Sequence, residues 1–317
     1  MMVAIAGAGA MGCRFGAALF EAGHDVVLYD GWNEHVDAIN SGGLKVTHER
    51  GTRVARVPAT QFPVRAPADL VIIFGKAGQT AEIAAGSEDP FGRGCMVLTL
   101  QNGLGNIEIL TEHVPPERLL AGTTTLGTEL LGPGHIRALG SGETVLGPLA
   151  EGREREAAGV REVLAGAGLA VRACPDPLTA IWAKVAFNCV MNSLCAIASI
   201  PVSALALYDG FDALATSVLD EVAAVAAADG VTVDTGGALA VMRAQFAPSA
   251  SGDHLASTLQ DLMKGRRTEV AHLNGAIASR AAARGIPAPV NTLITQLIGL
   301  LEATWPRRVN SLHPDTR

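Results

Sequence analysis

Three polar side chains recur at every fourth position of an otherwise apolar stretch, residues 181–200. They are Lys184, Asn188 and Asn192, and a helix here would stack them on one face that drifts by ~40° per step and spans ~12 Å. Unpaired amide and ammonium groups are costly away from water. The pattern therefore predicts either a network of structural hydrogen bonds or a site for a polar small molecule. In such a site, an ammonium group can polarise a carbonyl oxygen and donate a proton to it.

A glycine-rich segment near the N-terminus has the form that cradles phosphates. The segment Gly7-Ala8-Gly9-Ala10-Met11-Gly12 is a G-x-G-x-x-G motif between an apolar run at 3–6 and a predicted helix at 14–22. In this context the glycines allow a tight turn, and a pyrophosphate rests on the N-terminus of the helix. A glycine-rich turn without a ligand is the alternative. The residues expected to contact a dinucleotide are Gly7, Gly9, Ala10, Met11 and Gly12.

The second apolar run, residues 25–29, ends at Asp30. A carboxylate at this position accepts hydrogen bonds from the adenosine ribose and repels a 2′-phosphate. No Arg or Lys follows closely, so we expect an NAD(P)H cofactor with NADH favoured over NADPH. The alternative role for Asp30 is to cap the next helix, which Asn33 could do instead.

Two further apolar runs, 70–74 and 95–100, are followed by Lys76 and Asn102. Ligands of doubly wound sheets gather just past the carboxyl ends of the strands, so both residues are candidates for the site. The alternatives are a solvent-exposed lysine and an ordinary Asn-Gly turn.

The order of these runs predicts an α/β protein with an N-terminal Rossmann-type doubly wound sheet and a C-terminal all-helical domain. Residues 119–131 and 135–147 should form a β-hairpin that extends the sheet. The segment Cys174-Pro175-Asp176-Pro177 interrupts the periodicity. We therefore expect a dinucleotide-binding domain at 1–174 and a helical substrate and catalytic domain at 175–317, including one long helix over 258–284.

Composition limits the partners. The chain has 317 residues, 49% of them hydrophobic and 17% charged, with a net charge of −7 and one small basic cluster at 264–267. This balance argues against nucleic acid or an anionic membrane surface as a partner. Lys184 and the two asparagines make 181–200 a poor membrane span. Alanine-rich helices are compatible with a homodimer without requiring one.

The cysteines and histidines favour a cytoplasmic protein without a metal. Five cysteines without a C-x-x-C spacing indicate reduced thiols. The eight histidines show no H-x-H, H-x-x-x-H or H-E-x-x-H spacing, so we expect no metal site.

Together these features resemble the 2-dehydropantoate 2-reductase (ketopantoate reductase) family over nearly the whole chain, from Gly7 to about Leu301. Beside the glycine motif, Lys76 and Asn102-Gly103, the resemblance rests on two specific blocks. One is Trp182-x-Lys184-x3-Asn188-x3-Asn192. The other is Ser257-x-x-Gln260-Asp261 with Arg267-Thr268-Glu269, which could otherwise be a solvated helix face.

The resemblance implies hydride transfer from NAD(P)H to a 2-oxo acid in a cleft between a Rossmann and a helical domain, as in pantothenate biosynthesis. Lys184 matches the catalytic general acid of the family and Glu269 its acidic partner. The polar groups that would contact the substrate are Asn102, Asn188, Asn192 and Ser257, with Asn102 and Lys76 also near the cofactor.

The chain departs from the family pattern at two positions. The family's usual cofactor is NADPH, with a basic residue after the second strand, whereas this chain has Asp30. Family members commonly have a substrate-binding asparagine after the proline that follows the Lys/Asn helix, whereas Val202 follows Pro201 here. Three functions remain open. They are reduction of 2-dehydropantoate, NADH-dependent reduction of another branched or aromatic 2-oxo acid, and a non-catalytic dinucleotide sensor.

Overall fold

The chain forms two compact units, Met1–Ile181 and Trp182–Arg317. The computed structural model describes residues 1–65, 67–85, 94–246 and 255–307. The predicted domain boundary at 174/175 lies a few residues before this division, and it stays a prediction.

The N-terminal unit alternates strands and helices. Its strands are β1 Met2–Ala6, β2 Asp25–Asp30, β3 Leu44–His48, β4 Gly51–Ala55, β5 Ala59–Gln61, β6 Leu70–Ile73, β7 Met96–Thr99, β8 Leu119–Thr124, β9 Gly127–Gly132, β10 His135–Leu139, β11 Thr144–Pro148 and β12 Val171–Ala173. Its helices are α1 Ala10–Glu21, α2 Asn33–Gly42, α3 Thr80–Ala85, α4 Asn106–Thr111 and α5 Glu154–Gly166.

Eight strands form the main sheet in the order β12-β11-β8-β7-β6-β1-β2-β5. From β8 to β5 all neighbours are parallel, and β11 pairs antiparallel with β8. The side chains of β6 are fully buried, as expected for a parallel strand covered on both faces. The predicted Rossmann-type α/β architecture is confirmed.

The predicted hairpin forms, but only its base extends the main sheet, where β8 and β11 pair antiparallel. Strands β9 and β10 belong to a second sheet with the order β4-β3-β10-β9. Arg14 on α1 explains the separation, because its Nη1 donates to the carbonyl oxygens of Gly127 at 2.6 Å and Leu139 at 3.3 Å. These bonds fix the hairpin against α1, while β8 and β11 on either side of it stay in the main sheet.

The C-terminal unit is helical, as predicted. Its helices are α6 Pro177–Ala198, which begins in the N-terminal unit, then α7 Phe211–Ala228, α8 Thr235–Ala244, α9 Ser257–Met263, α10 Asn274–Arg284 and α11 Pro289–Thr304. Helix α6 is long and apolar enough to cross a membrane, but 67% of its apolar window is buried inside the protein. A mostly buried helix of this kind is typical of a protein core.

The single long helix predicted over 258–284 is wrong, because α9 and α10 are separate. Helix α9 ends at Met263, and Gly265, two residues later, has a left-handed φ of +63°. The next amide, of Arg266, donates to the carbonyl of Asp261 at 2.8 Å. This bond is the 6→1 hydrogen bond of a Schellman motif, which closes a helix.

Buried side-chain amides fix α6 against its neighbours. Asn274 on α10 is fully buried and accepts a hydrogen bond from Ser193 Oγ at 2.6 Å. Its Nδ2 donates to the carbonyl of Cys189 at 3.0 Å and to Asn291 Oδ1 at 2.9 Å. Asn291 in turn donates to Glu221 Oε2 at 2.8 Å. This amide network connects α6, α10, α11 and α7, and it fixes the rotation of α6 about its axis and so the direction in which its Lys184 face points.

Removing Asn274 should therefore destabilise the protein strongly. We expect Asn274→Ala to lower the free energy of unfolding by about 2–4 kcal/mol, because buried partners in the amide network lose their hydrogen bonds. Gln296→Ala, on the exposed side of α11, should change it by less than about 0.5 kcal/mol. Urea denaturation of both variants measures the difference, and equal stabilities would contradict this role of Asn274.

Candidate active site

The glycine motif forms a tight loop between β1 and α1. Gly7 has a left-handed φ of +98°, and a Cβ there would collide with the backbone of Gly75. A Cβ on Gly12 would collide with the carbonyl of Gly7. Above Gly9 the space is open, since a Cβ there would meet no atom within 4 Å. No side chain caps α1 at this end, so the loop fits a pyrophosphate held by backbone amides.

Asp30 lies beside this loop. The amides of Gly7 and Ala8 donate to the carbonyl of Tyr29 at 2.9 and 3.0 Å, which holds the end of β2 against the glycine loop. The Asp30 carboxylate accepts one hydrogen bond from the amide of Trp32, at 2.9 Å. Helix α2 has Trp32 at its N-cap without a side-chain cap, so Asp30 does not cap it. A second carboxylate oxygen remains for a ribose hydroxyl.

Lys76 and Asn102 follow β6 and β7, which are parallel neighbours in the sheet. Because β1 pairs with both β2 and β6, the carboxyl ends of four strands meet at one edge. The structure therefore places the glycine loop, Asp30, Lys76 and Asn102 at that edge, and their role in binding stays a prediction.

Three further residues hold the loops after β6 and β7, and the sequence interpretation missed them. Gln101 Nε2 donates to the carbonyl of Gly75 at 2.7 Å and to Thr80 Oγ1 at 2.8 Å. Thr80 Oγ1 lies 2.7 Å from Asn106 Oδ1, and Asn106 Nδ2 donates to the carbonyl of Asn102 at 3.0 Å. The sequence did contain a sign of them, because Gln101 follows an apolar strand and Thr80 and Asn106 are the first residues of the helices α3 and α4.

The polar face of α6, with Lys184, Asn188 and Asn192, takes no part in the amide network around Asn274. Asn192 Nδ2 donates to Ser257 Oγ on α9 at 3.1 Å. Asn188 is only 8% exposed, and its side-chain amide has no hydrogen-bonding partner among the described residues. A buried amide without a partner is costly. Asn192 thus makes a structural hydrogen bond from this face, Ser193 makes one from another face, and Asn188 is the residue of the polar face that is available to a polar ligand.

Two opposing effects determine the pKa of Lys184. Burial lowers its pKa and the negative charge of Glu269 raises it, and the balance of the two leaves a pKa of about 8, below the ordinary 10.5. The ammonium form is thus retained near neutral pH but gives up its proton more readily than an exposed lysine does. This balance suits a general acid.

The helical unit thus brings its own set of predicted residues together. Lys184, Asn188 and Asn192 share one face of α6, Glu269 acts on Lys184, and Ser257 on α9 bonds to Asn192. Asn102 lies instead with the dinucleotide set of the N-terminal unit. In the described parts of the chain, no cluster of three His, Cys, Asp or Glu side chains could hold a metal ion.

The known proteins that this chain resembles in sequence share one family description. Residues 3–151 match the family model described as ketopantoate reductase PanE/ApbA, and residues 176–302 match the model of its C-terminal domain. The chain is 35% identical over 307 residues to a 2-dehydropantoate 2-reductase of Halobacterium salinarum, covering 95% of this chain and 99% of the relative. It is 31% identical over 302 residues to the 2-dehydropantoate 2-reductase of Lactococcus lactis, covering 94% and 97%.

Solved structures agree over the same length. A ternary structure of D-mandelate dehydrogenase with NADH and anilino(oxo)acetate superposes with a TM-score of 0.93 at 32% identity, covering 96% of this chain and 100% of the other. A PanE/ApbA family ketopantoate reductase from Ralstonia eutropha superposes with a TM-score of 0.86 at 35% identity, with the same coverage. With both domain models matched in order and the glycine loop and Lys184 face in place, the chain belongs to the ketopantoate reductase family.

Proposed function

We propose that this protein is an NAD(P)H-dependent 2-oxo acid reductase that converts 2-dehydropantoate to pantoate in pantothenate biosynthesis. The observation that carries the proposal is the partly buried Lys184 beside Glu269, on the same helix face as the unpartnered amide of Asn188. The names of the relatives from Halobacterium and Lactococcus support the substrate.

The chain's own residues divide the work as follows. A nicotinamide cofactor, when bound, would supply the hydride for the carbonyl carbon. Lys184 Nζ polarises the carbonyl oxygen and donates the proton that the resulting alkoxide needs. Asn188, Asn192 and Ser257 hold the carboxylate and hydroxyl groups of the substrate, which orients the carbonyl. Glu269 orients Lys184 and sustains its positive charge.

The dinucleotide is bound by the N-terminal unit. The glycine loop, with Ala10 and Met11, would hold the pyrophosphate. Lys76 and Asn102 would contact the nicotinamide, and Asn102 would also contact the substrate. Asp30 accepts hydrogen bonds from the adenosine ribose and repels a 2′-phosphate, so NADH is favoured over NADPH. The solved D-mandelate dehydrogenase, bound to NADH, supports this preference.

A second candidate substrate is another branched or aromatic 2-oxo acid. Val202 opens the turn Val202–Leu207 that follows α6, and it offers no amide to a substrate hydroxyl. The similarity to D-mandelate dehydrogenase favours an aromatic acid in particular.

Two features bear on the cellular setting and the assembly of the protein. The five cysteines are free thiols, which suits a cytoplasmic enzyme. The alanine-rich helices of the C-terminal unit are compatible with a homodimer.

Replacing the proposed general acid tests the mechanism. We expect Lys184→Ala to lower kcat by about 100-fold or more, the scale of a lost general acid, with little change in the affinity for NADH. Lys45→Ala removes an exposed lysine from β3 and is the matched control. Steady-state oxidation of the cofactor measures both variants, and near-normal turnover by Lys184→Ala would contradict the assignment.

The pH dependence tests the pairing with Glu269. Because the protonated Lys184 is the active form, kcat/KM for reduction should fall as the pH rises through the pKa of about 8. Glu269 raises that pKa, so Glu269→Gln should move the fall in kcat/KM to lower pH. Glu82→Gln, an exposed position on α3, should leave the profile in place. An unchanged profile in Glu269→Gln would exclude the electrostatic role.

A further inference from the structure

Trp32 is an exposed aromatic side chain beside the predicted ribose site. It lies between β2 and α2, two residues after Asp30, and 39% of its surface is exposed. Exposure of a large apolar ring to water is unfavourable in free energy, and a ligand that covers the ring would remove part of that cost. An exposed indole beside a predicted ligand site is therefore a candidate ligand contact.

The backbone of Trp32 is fixed on both sides. Its amide donates to Asp30 Oδ1 at 2.9 Å. Its carbonyl accepts hydrogen bonds from the amides of His35 at 3.0 Å and Val36 at 3.1 Å, which begin α2. The indole is thus attached to the same short segment as the carboxylate that would accept the ribose.

The ring itself is held by a buried histidine. The indole stacks on the His35 imidazole with ring centroids 5.3 Å apart and an angle of 9° between the planes. His35 is 1% exposed, so it covers one face of the indole from inside the protein. Because His35 covers one face of the indole, a second planar ring would have to stack on the opposite face, which we call the open face.

Hydrogen bonds connect His35 to the glycine loop. The amide of Gly134 donates to His35 Nδ1 at 3.0 Å, so the neutral ring carries its proton on Nε2. Nε2 then donates to the carbonyl of Ala8 at 2.9 Å. Burial lowers the pKa of His35, against the charge of Asp30, which favours this neutral ring. Trp32, His35 and the pyrophosphate loop therefore form one connected unit.

We propose that the open face of Trp32 stacks on the adenine ring of the dinucleotide. The inference rests on the proposed function, because it takes Asp30 as the acceptor for the adenosine ribose. Adenine is attached directly to that ribose, so a ribose held by Asp30 brings the base next to the indole. Both NADH and NADPH carry adenine, so Trp32 contributes affinity for either cofactor, whereas Asp30 discriminates between them.

Binding of ADP-ribose, which lacks the nicotinamide, tests the proposal without catalysis. Isothermal titration of the full chain should show about 10-fold weaker binding of ADP-ribose by Trp32→Ala, since stacking of a base on an aromatic ring contributes on that scale. Trp32→Phe keeps a ring and should retain most of the affinity. Trp305→Phe, which changes a tryptophan of the C-terminal unit, should bind as the wild type does.

Fluorescence gives a second measurement that does not depend on the folding of Trp32→Ala. ADP-ribose should quench part of the indole emission of the wild-type protein, and that part should be absent from Trp32→Phe. Equal ADP-ribose affinity in Trp32→Ala and wild type, or quenching that persists in Trp32→Phe, would overturn the role of Trp32 alone. A wild-type protein that binds neither NADH nor ADP-ribose would overturn the proposed function as well.

Discussion

The proposed chemistry depends on the charge state of Lys184, and this constrains how the helical unit must position the side chain. Burial favours the neutral amine and Glu269 favours the ammonium, and the two effects leave a pKa of about 8. A fully exposed lysine would retain its proton too firmly, whereas a buried lysine without a carboxylate would lose it too early. The helical unit has to keep Lys184 out of water and Glu269 close to it at the same time.

Two separate sets of polar residues on α6 make this possible. Ser193 and the backbone at Cys189 bond to Asn274, which is itself bonded to Asn291. These hydrogen bonds hold one side of α6 against its neighbouring helices. Lys184 and Asn188 lie on another face of α6, whose orientation is already fixed by contacts that no substrate needs to make. The N-terminal unit uses the same principle when Gln101 and Thr80 fix the strand-end loops that carry Lys76 and Asn102.

Local patterns in the sequence predicted much of this arrangement. Three local patterns carried the information. They are the glycine motif with its flanking strand and helix, the polar residues at strand ends, and the polar residues at every fourth position of α6. Each depends only on residues that are close in the sequence. The sheet of the β9–β10 hairpin could not be predicted this way, because Arg14, more than a hundred positions earlier, holds it. The break between α9 and α10 depends on the single residue Gly265. The bonds of Asn274 to Ser193 and Asn291 join residues from different helices, so spacing along the chain carried no sign of them.

The most direct test of the account is oxidation of NADH and NADPH, measured side by side, with 2-dehydropantoate and 2-oxo-2-phenylacetate as acceptors. The account predicts turnover of at least one of these 2-oxo acids, with NADH used more efficiently than NADPH because of Asp30. Preferred use of 2-oxo-2-phenylacetate would identify the aromatic acid as the substrate class, in line with Val202. Tight binding of NADH without oxidation by either acid would contradict the central claim that Lys184 and its neighbours reduce a 2-oxo acid.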